Sequence, residues 1–295
     1  MLADPQFLAE QVLNSLQFSM LLFLLAIGLS VVFGLMDYLN LSHGTIYMFA
    51  AYVAFTITQL GGSFWTALAL APLAAAAVGV LLYTLLLRRA EKGGHLTQVL
   101  LTVGVIYMGS DLLRIGYGDL AKGVAQPAIL SGAVDLFGIR YPSYRLFIIA
   151  LGVATMLALH VALERTRLGA LVRAGVDDRA TAETLGIDIA KVFTLVFAIG
   201  TYLAGVAGVV AAPIFGVYPG MDVSIIILVL IVVVVGGLGS LKGAILGSLL
   251  VGFADTFGKI LLPQFAMMTI DLVMALVLIF RPSGLMPVRR FSAPG

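Results

Sequence analysis

The chain has 295 residues, 61% hydrophobic and only 11% charged, with a formal net charge of +2. Soluble domains carry about 25% charged residues, so a soluble globule of this length is excluded, as is disorder at so high an apolar content. The absence of cysteine excludes a disulfide framework, a thiolate metal site and a cysteine nucleophile, and so small a net charge implies no nucleic-acid partner.

A bilayer crossing takes about 20 apolar residues, so the chain has room for eight or nine spans and no large extramembrane domain. In lipid the backbone must satisfy its own polar groups, so these apolar runs are helices. The first is predicted at 16–36. From Tyr38 to Leu87 there is no Asp, Glu, Lys or Arg, and one helix of that length would reach about 75 Å. It therefore holds two spans, 44–60 and 64–87, broken at Leu60-Gly61-Gly62-Ser63. Further spans are predicted at 96–115, 146–163, 192–212, 223–237, 243–262 and 267–280. The expectation is an all-α integral membrane protein, a single domain over 1–295 with some of its helices broken.

Lys and Arg set the orientation. With nine spans, twelve basic residues fall on one side, among them Arg88, Arg173, Lys242 and Arg281, and five on the other, among them Lys122 and Arg140. The side with twelve is read as cytoplasmic, which places the N-terminus outside, the C-terminus inside and one sizeable loop, 116–145, on the outer face. Small residues at four-residue spacing, Gly200, Ala204, Gly208 and Ala212, and again Gly239, Gly243 and Gly247, mark faces where helices approach closely. Asn40-Leu41-Ser42-His43-Gly44 and Gly239-Ser240-Leu241-Lys242-Gly243 both follow one span and precede another, which hints at an internal repeat.

The long cytoplasmic connection, about 164–191, contains a short helix with both ends marked. Asp177 or Asp178 is placed to cap its start, and Gly186, after Leu185, to stop it in the left-handed conformation. Two turns of helix do not persist alone in water, so this one must dock. The segment Arg173-Ala174-Gly175-Val176-Asp177-Asp178-Arg179-Ala180-Thr181-Ala182-Glu183-Thr184-Leu185-Gly186-Ile187 resembles the coupling loop of bacterial ABC importer permeases, although the Glu that leads the general Glu-Ala-Ala motif is missing. It is most similar to the branched-chain amino acid permease family, the LivH type. Asn40-Leu41-Ser42-His43-Gly44, Gly236-Gly237-Leu238-Gly239-Ser240-Leu241-Lys242-Gly243 and Arg281-Pro282-Ser283-Gly284-Leu285 resemble three further motifs of that family, in order along the chain.

The resemblance implies a heterodimer with a second, homologous permease in the bacterial inner membrane. It also implies two cytoplasmic ATPase subunits and a periplasmic binding protein that delivers the amino acid. It assigns ATPase coupling to Asp177, Asp178, Ala180, Ala182, Glu183, Leu185 and Gly186. The chain itself is read as a non-enzyme without a cofactor: its one Gly-Lys, Gly258-Lys259, is followed by Ile260 and makes no phosphate-binding loop, so ATP is used by the partner subunits. Related permeases carry urea, short amides or aromatic acids, and these stand as alternative substrates.

Intramembrane charges are functional candidates. Asp111 and Arg114, three apart, and Asp255 and Lys259, four apart, are each expected to pair on one helix face, whereas Asp271 has no near neighbour of opposite charge. Asn40, Ser42 and His43 are expected to satisfy the free N–H groups of a helix starting near Gly44. Alternatively these residues, with Gly44, Gly236, Gly237, Gly239, Ser240 and Gly243, line a pathway. An ion-coupled secondary transporter using Asp255 or Asp271 is the competing reading, and the docking helix in 164–191 argues against it.

Overall fold

A computed structural model describes residues 4–90, 93–136, 138–177 and 179–287. Among these residues, nine helices stand where nine spans are predicted. They are α1 (Pro5–Met36), α2 (His43–Gln59), α3 (Phe64–Leu82), which runs on through a π-helical turn at Tyr83–Leu87 into α4 (Arg88–Ala90), α5 (Gly94–Tyr117), α6 (Ser143–Arg165), α9 (Ile189–Phe215), α10 (Met221–Gly236), α11 (Leu241–Leu261) and α12 (Ala266–Phe280). Among the described residues six helices are long and apolar enough to cross a membrane; α10 and α12 are apolar but shorter, and α2 has only 17 residues. Two further helices, α7 (Arg167–Asp177) and α8 (Arg179–Thr184), fill the connection between α6 and α9.

The two ends of the bundle differ. At one, α7 and α8 pack under the helices: Val172 and Ala182 join Val32, Tyr38, Tyr83, Leu87, Ile189 and Phe193 in a buried cluster. At the other, an antiparallel hairpin of β1 (Ala133–Leu136) and β2 (Ile139–Pro142) closes the structure. There the buried Tyr141 donates to Asn14 Oδ1 at 3.1 Å, and Lys122 bridges Val217. The hairpin was not legible as strands in the sequence: four residues of alternation are too few, and Val134 is exposed. The helical fold class stands, with this small hairpin outside the membrane helices.

These contacts fix the directions. Helix α1 runs from the hairpin end to the α8 end, and α9 runs back. They cross with backbones touching: a Cβ on Gly28 would lie 2.5 Å from the Gly200 carbonyl oxygen, and one on Gly200 2.9 Å from that of Gly28. Helix α1 packs along α11 as α9 packs along α3, and α2 lies against α3 as α10 lies against α11. The chain is thus built twice, in opposite senses. In this arrangement the stretch 37–42 corresponds to 216–220. The repeat expected between 40–44 and 239–243 is corrected accordingly, because 239–243 lies at the α8 end whereas His43 lies inside the bundle.

Candidate transport pathway and coupling loop

His43 Nε2 donates to the Leu25 carbonyl at 3.1 Å, about 16 Å along α1 from its end at the helical rise. The stretch 37–42 therefore turns back alongside α1, starting from Asp37 in the left-handed conformation at φ 51°, and α2 begins within the bundle. Helix α10 also begins there: a Cβ on Gly44 would lie 2.6 Å from the Asp222 carbonyl oxygen. Because they start inside, α2 and α10 need less than a full membrane thickness, which is why they fall short of the six long helices.

Asn40, Ser42 and His43 are buried here, but the expected capping is corrected. Ser42 Oγ donates to Asn40 Oδ1 at 2.5 Å, and no side chain caps α2. These groups tie the returning stretch to itself and to α1, since the helix start packs instead on the backbone of α10 at Gly44.

The residue missed in the sequence is Asp222. Counted along the chain it falls in a connection outside the spans, yet it is 1% exposed. Its Oδ2 accepts from Thr45 Oγ1 at 3.1 Å and from Ser110 Oγ at 3.0 Å, joining α2, α5 and α10. Its Oδ1 has no hydrogen-bond partner among the described residues. The available signal was an Asp two residues after Gly220 and three before the uninterrupted apolar run from Ile225 to Val235.

The second break, Gly236 to Gly243, sits at the α8 end. A Cβ on Gly236 would overlap the Gly243 carbonyl oxygen, and one on Gly243 that of Gly236. Gly237 and Gly239 have φ 108° and 77°, a region open chiefly to glycine. Ser240 caps α11 by accepting from Gly243 N at 3.0 Å. The motif from Arg281 to Leu285, separate in the sequence, closes on this break: Leu285 N donates to Val235 O and Met286 N to Gly236 O, both at 2.9 Å.

Asp111 and Arg114 form a 3.6 Å pair, exposed near the hairpin end of α5, and Arg114 also meets Asp119 at 2.7 Å. Lys259 Nζ lies 2.6 Å from Asp255 Oδ2 and over the Phe18 ring, also toward the hairpin end. Asp271 is exposed in a shallow groove with Phe265, Met268 and Leu272, and has no hydrogen bond or ion pair among the described residues. Among those residues, no three His, Asp or Glu gather to hold a metal ion.

The loop from 164 to 191 holds more helix than the sequence indicated. Asp177 ends α7; Asp178, the residue before α8, lies outside the described residues, as do the side chains of Asp177 and Ala180, so the expected N-terminal cap falls outside them. Helix α7 went unread because its charges resemble a solvated loop, whereas Leu168 and Val172 face the buried cluster. Helix α8 ends in a Schellman motif: Ile187 N donates to Ala182 O at 3.1 Å and Gly186 N to Glu183 O at 3.0 Å, with Gly186 at φ 84°. Ala182 points inward at 2% exposure, while Leu185 stands out at 76% and Glu183 is exposed beside it. Asp188 caps α9, and its bonds from Lys191, side chain first and then backbone, hold its carboxyl below the usual range.

This arrangement of broken helices over a two-helix loop has relatives. The family model for the branched-chain amino acid transport system permease component matches residues 11–281. The chain belongs to this family. The high-affinity branched-chain amino acid transport system permease protein BraD of Pseudomonas aeruginosa is 30% identical to it, over 94% of this chain and 95% of its own length. LivH of Escherichia coli K12 is 26% identical over 94% of each, and LivM of the same organism 29% identical over 92% of this chain and 69% of its own. Among solved structures, PsaBC from Streptococcus pneumoniae in complex with Fab aligns at TM-score 0.48 and 15% identity, over 90% of this chain and 89% of that one. As a member of this permease family the chain is a multi-pass membrane protein and a permease subunit of an ABC importer.

Proposed function

We propose that this permease passes branched-chain amino acids from a periplasmic binding protein to the cytoplasm, as one half of a heterodimer with a second, homologous permease. Two separate ATPase subunits drive it by engaging α8. The observation that carries this reading is the family match over 11–281, on a chain whose longest helical loop presents a capped two-turn helix with Leu185 exposed. Similarity to both LivH and LivM supports pairing between two permeases of this kind. The whole chain serves as a single permease domain, with the α8 end cytoplasmic and the hairpin end periplasmic, as the distribution of Lys and Arg favours.

The test is reconstitution in vesicles of this chain with its genomic-neighbour permease, ATPases and binding protein. The expected result is ATP-dependent uptake of leucine, isoleucine and valine that requires every component. Uptake of urea, amides or aromatic acids in their place would reassign the substrate, and uptake driven by an ion gradient without ATP would overturn the importer reading.

A further inference from the structure

Asp222 is an acid buried between three helices with one carboxylate oxygen unpartnered. Burying a charge with half its acceptors unused is costly, and such a residue inside a membrane protein marks a ligand or ion route. Asparagine of the same shape would also accept from Thr45 and Ser110; the first turn of α10 favours the carboxylate as an anion, and its second oxygen stays open to a further partner.

The surroundings are consistent with a route leading outward from it. Thr45, Tyr52 and Thr56 share one face of α2 at helical spacing, and that face meets α5. Thr45 and Ser110 converge on Asp222 Oδ2, the Tyr52 and Tyr117 rings lie 4.7 Å apart, and Thr56 Oγ1 is 2.6 Å from Tyr117 OH. The Tyr52 hydroxyl is buried and, like Asp222 Oδ1, lacks a partner among the described residues. This seam of polar groups runs from Tyr117, at the hairpin end of α5, inward to Asp222.

Beside the inner end of the seam lies a chamber of about 330 Å³ between α2, α3 and α5, lined by Thr45 with Ile46, Phe49 and Val78 and open on one side, where Met108 and Leu112 are exposed. Thr45 belongs to both, lining the chamber and donating to Asp222. An apolar chamber of this size with few polar groups at one side has the character of a small-molecule site. An acid beside an aliphatic wall matches a primary ammonium attached to a short aliphatic chain.

We propose that Asp222 receives the ammonium group of an aliphatic amino acid during its passage, while the amino acid's side chain occupies the chamber between α2, α3 and α5. This rests on the reading of the chain as an amino acid permease.

The test uses the full reconstituted transporter with saturating, leucine-loaded binding protein. Asp222→Asn keeps the shape and the acceptor for Thr45 and Ser110 but removes the charge. Leucine uptake is expected to fall about tenfold or more, as for loss of one charge-assisted hydrogen bond, in a complex that still co-purifies with its ATPases. Wild-type uptake by that variant would overturn the proposal and leave Asp222 a structural tie. If Asp222→Asn does not assemble, Val78→Phe, which narrows the chamber, decides: leucine uptake is expected to fall more than valine uptake, and an unchanged ratio would overturn the proposal. Failure of the wild-type complex to take up leucine would instead sink the amino acid reading itself.

Discussion

Lys259 reaches back one helical turn to Asp255, with Nζ 2.6 Å from Oδ2. The partners are unequally placed, since the Asp255 side chain is 12% exposed and that of Lys259 60%. The lysine therefore serves to neutralise an acid held among helices, with its Nζ over the Phe18 ring, 5.8 Å from the centroid. Removing one partner of a buried pair costs more than removing both. Lys259→Met is expected to destabilise the permease by roughly 1–2 kcal/mol, reduced from a fully buried pair by the exposure of the lysine. Asp255→Asn/Lys259→Met is expected to lie closer to wild type. Thermal unfolding in detergent measures both; equal stability of the single and double variants would show that the pair neutralises nothing.

Gly239 lies against Gly34, so that a Cβ on Gly239 would lie 2.5 Å from the Gly34 α-carbon. The positive φ adds strain to any side chain. Gly239→Leu is expected to abolish uptake while α8 still binds the ATPases, because the break and the loop contact different parts of the bundle. Uptake in vesicles, measured beside ATPase co-purification, checks this. Normal uptake would mean that the contact of α1 with the α10–α11 break plays no part in transport.

Leu185 is an exposed leucine at the tip of a capped helix, so it is the side chain that a partner groove would take. Leu185→Asp is expected to leave ATP hydrolysis running while uptake falls about tenfold, the scale of a lost apolar anchor. Gly186→Val forces a branched residue into the left-handed region, at about 1–2 kcal/mol, and is expected to weaken the same step. Ala182→Trp acts differently: Ala182 faces the permease's own cluster, so tryptophan there should push α8 away from α9 and reduce assembly. Coupled ATPase and uptake assays separate the cases. Wild-type transport by both Leu185→Asp and Gly186→Val would remove α8 from the coupling path.

The native chain has no cysteine, which makes labelling clean. Ser131, exposed beside the hairpin, is expected to react as cysteine with an impermeant thiol reagent in whole cells. Thr166, exposed at the start of α7, is expected not to react until the cells are opened. The reverse pattern would invert the topology.

What could be read in advance follows from chemistry. Long runs without charge announce helices, since lipid leaves the backbone no alternative, and a glycine stop such as Gly186 shows itself in the sequence. Depth does not. The turn of residues 37–42 back along α1 brings the His43 ring against Gly28, where a Cβ would lie 3.0 Å from it, and this places a segment such as Asn40–His43, read as a connection, in the bundle interior. Asp222 went unread for the same reason: its position along the chain is that of a connection, while its partners are 112 and 177 residues away. Helix α7 was hidden because Arg167 and Arg173 obscure the apolar face made by Leu168 and Val172.

The crossing of α1 and α9 has a mechanical consequence. With no side chain between Gly28 and Gly200, α1 and α9 cross backbone against backbone, so a tilt of one helix on the other would turn about this point. A tilt of about 5° about that point moves a helix end some 20 Å distant by about 2 Å, given the rise of the helix. Because the two halves are mounted in opposite senses, such a tilt narrows one mouth of the bundle as it widens the other. If α8 takes a push from an ATPase subunit, as proposed above, this crossing would carry it to the far side.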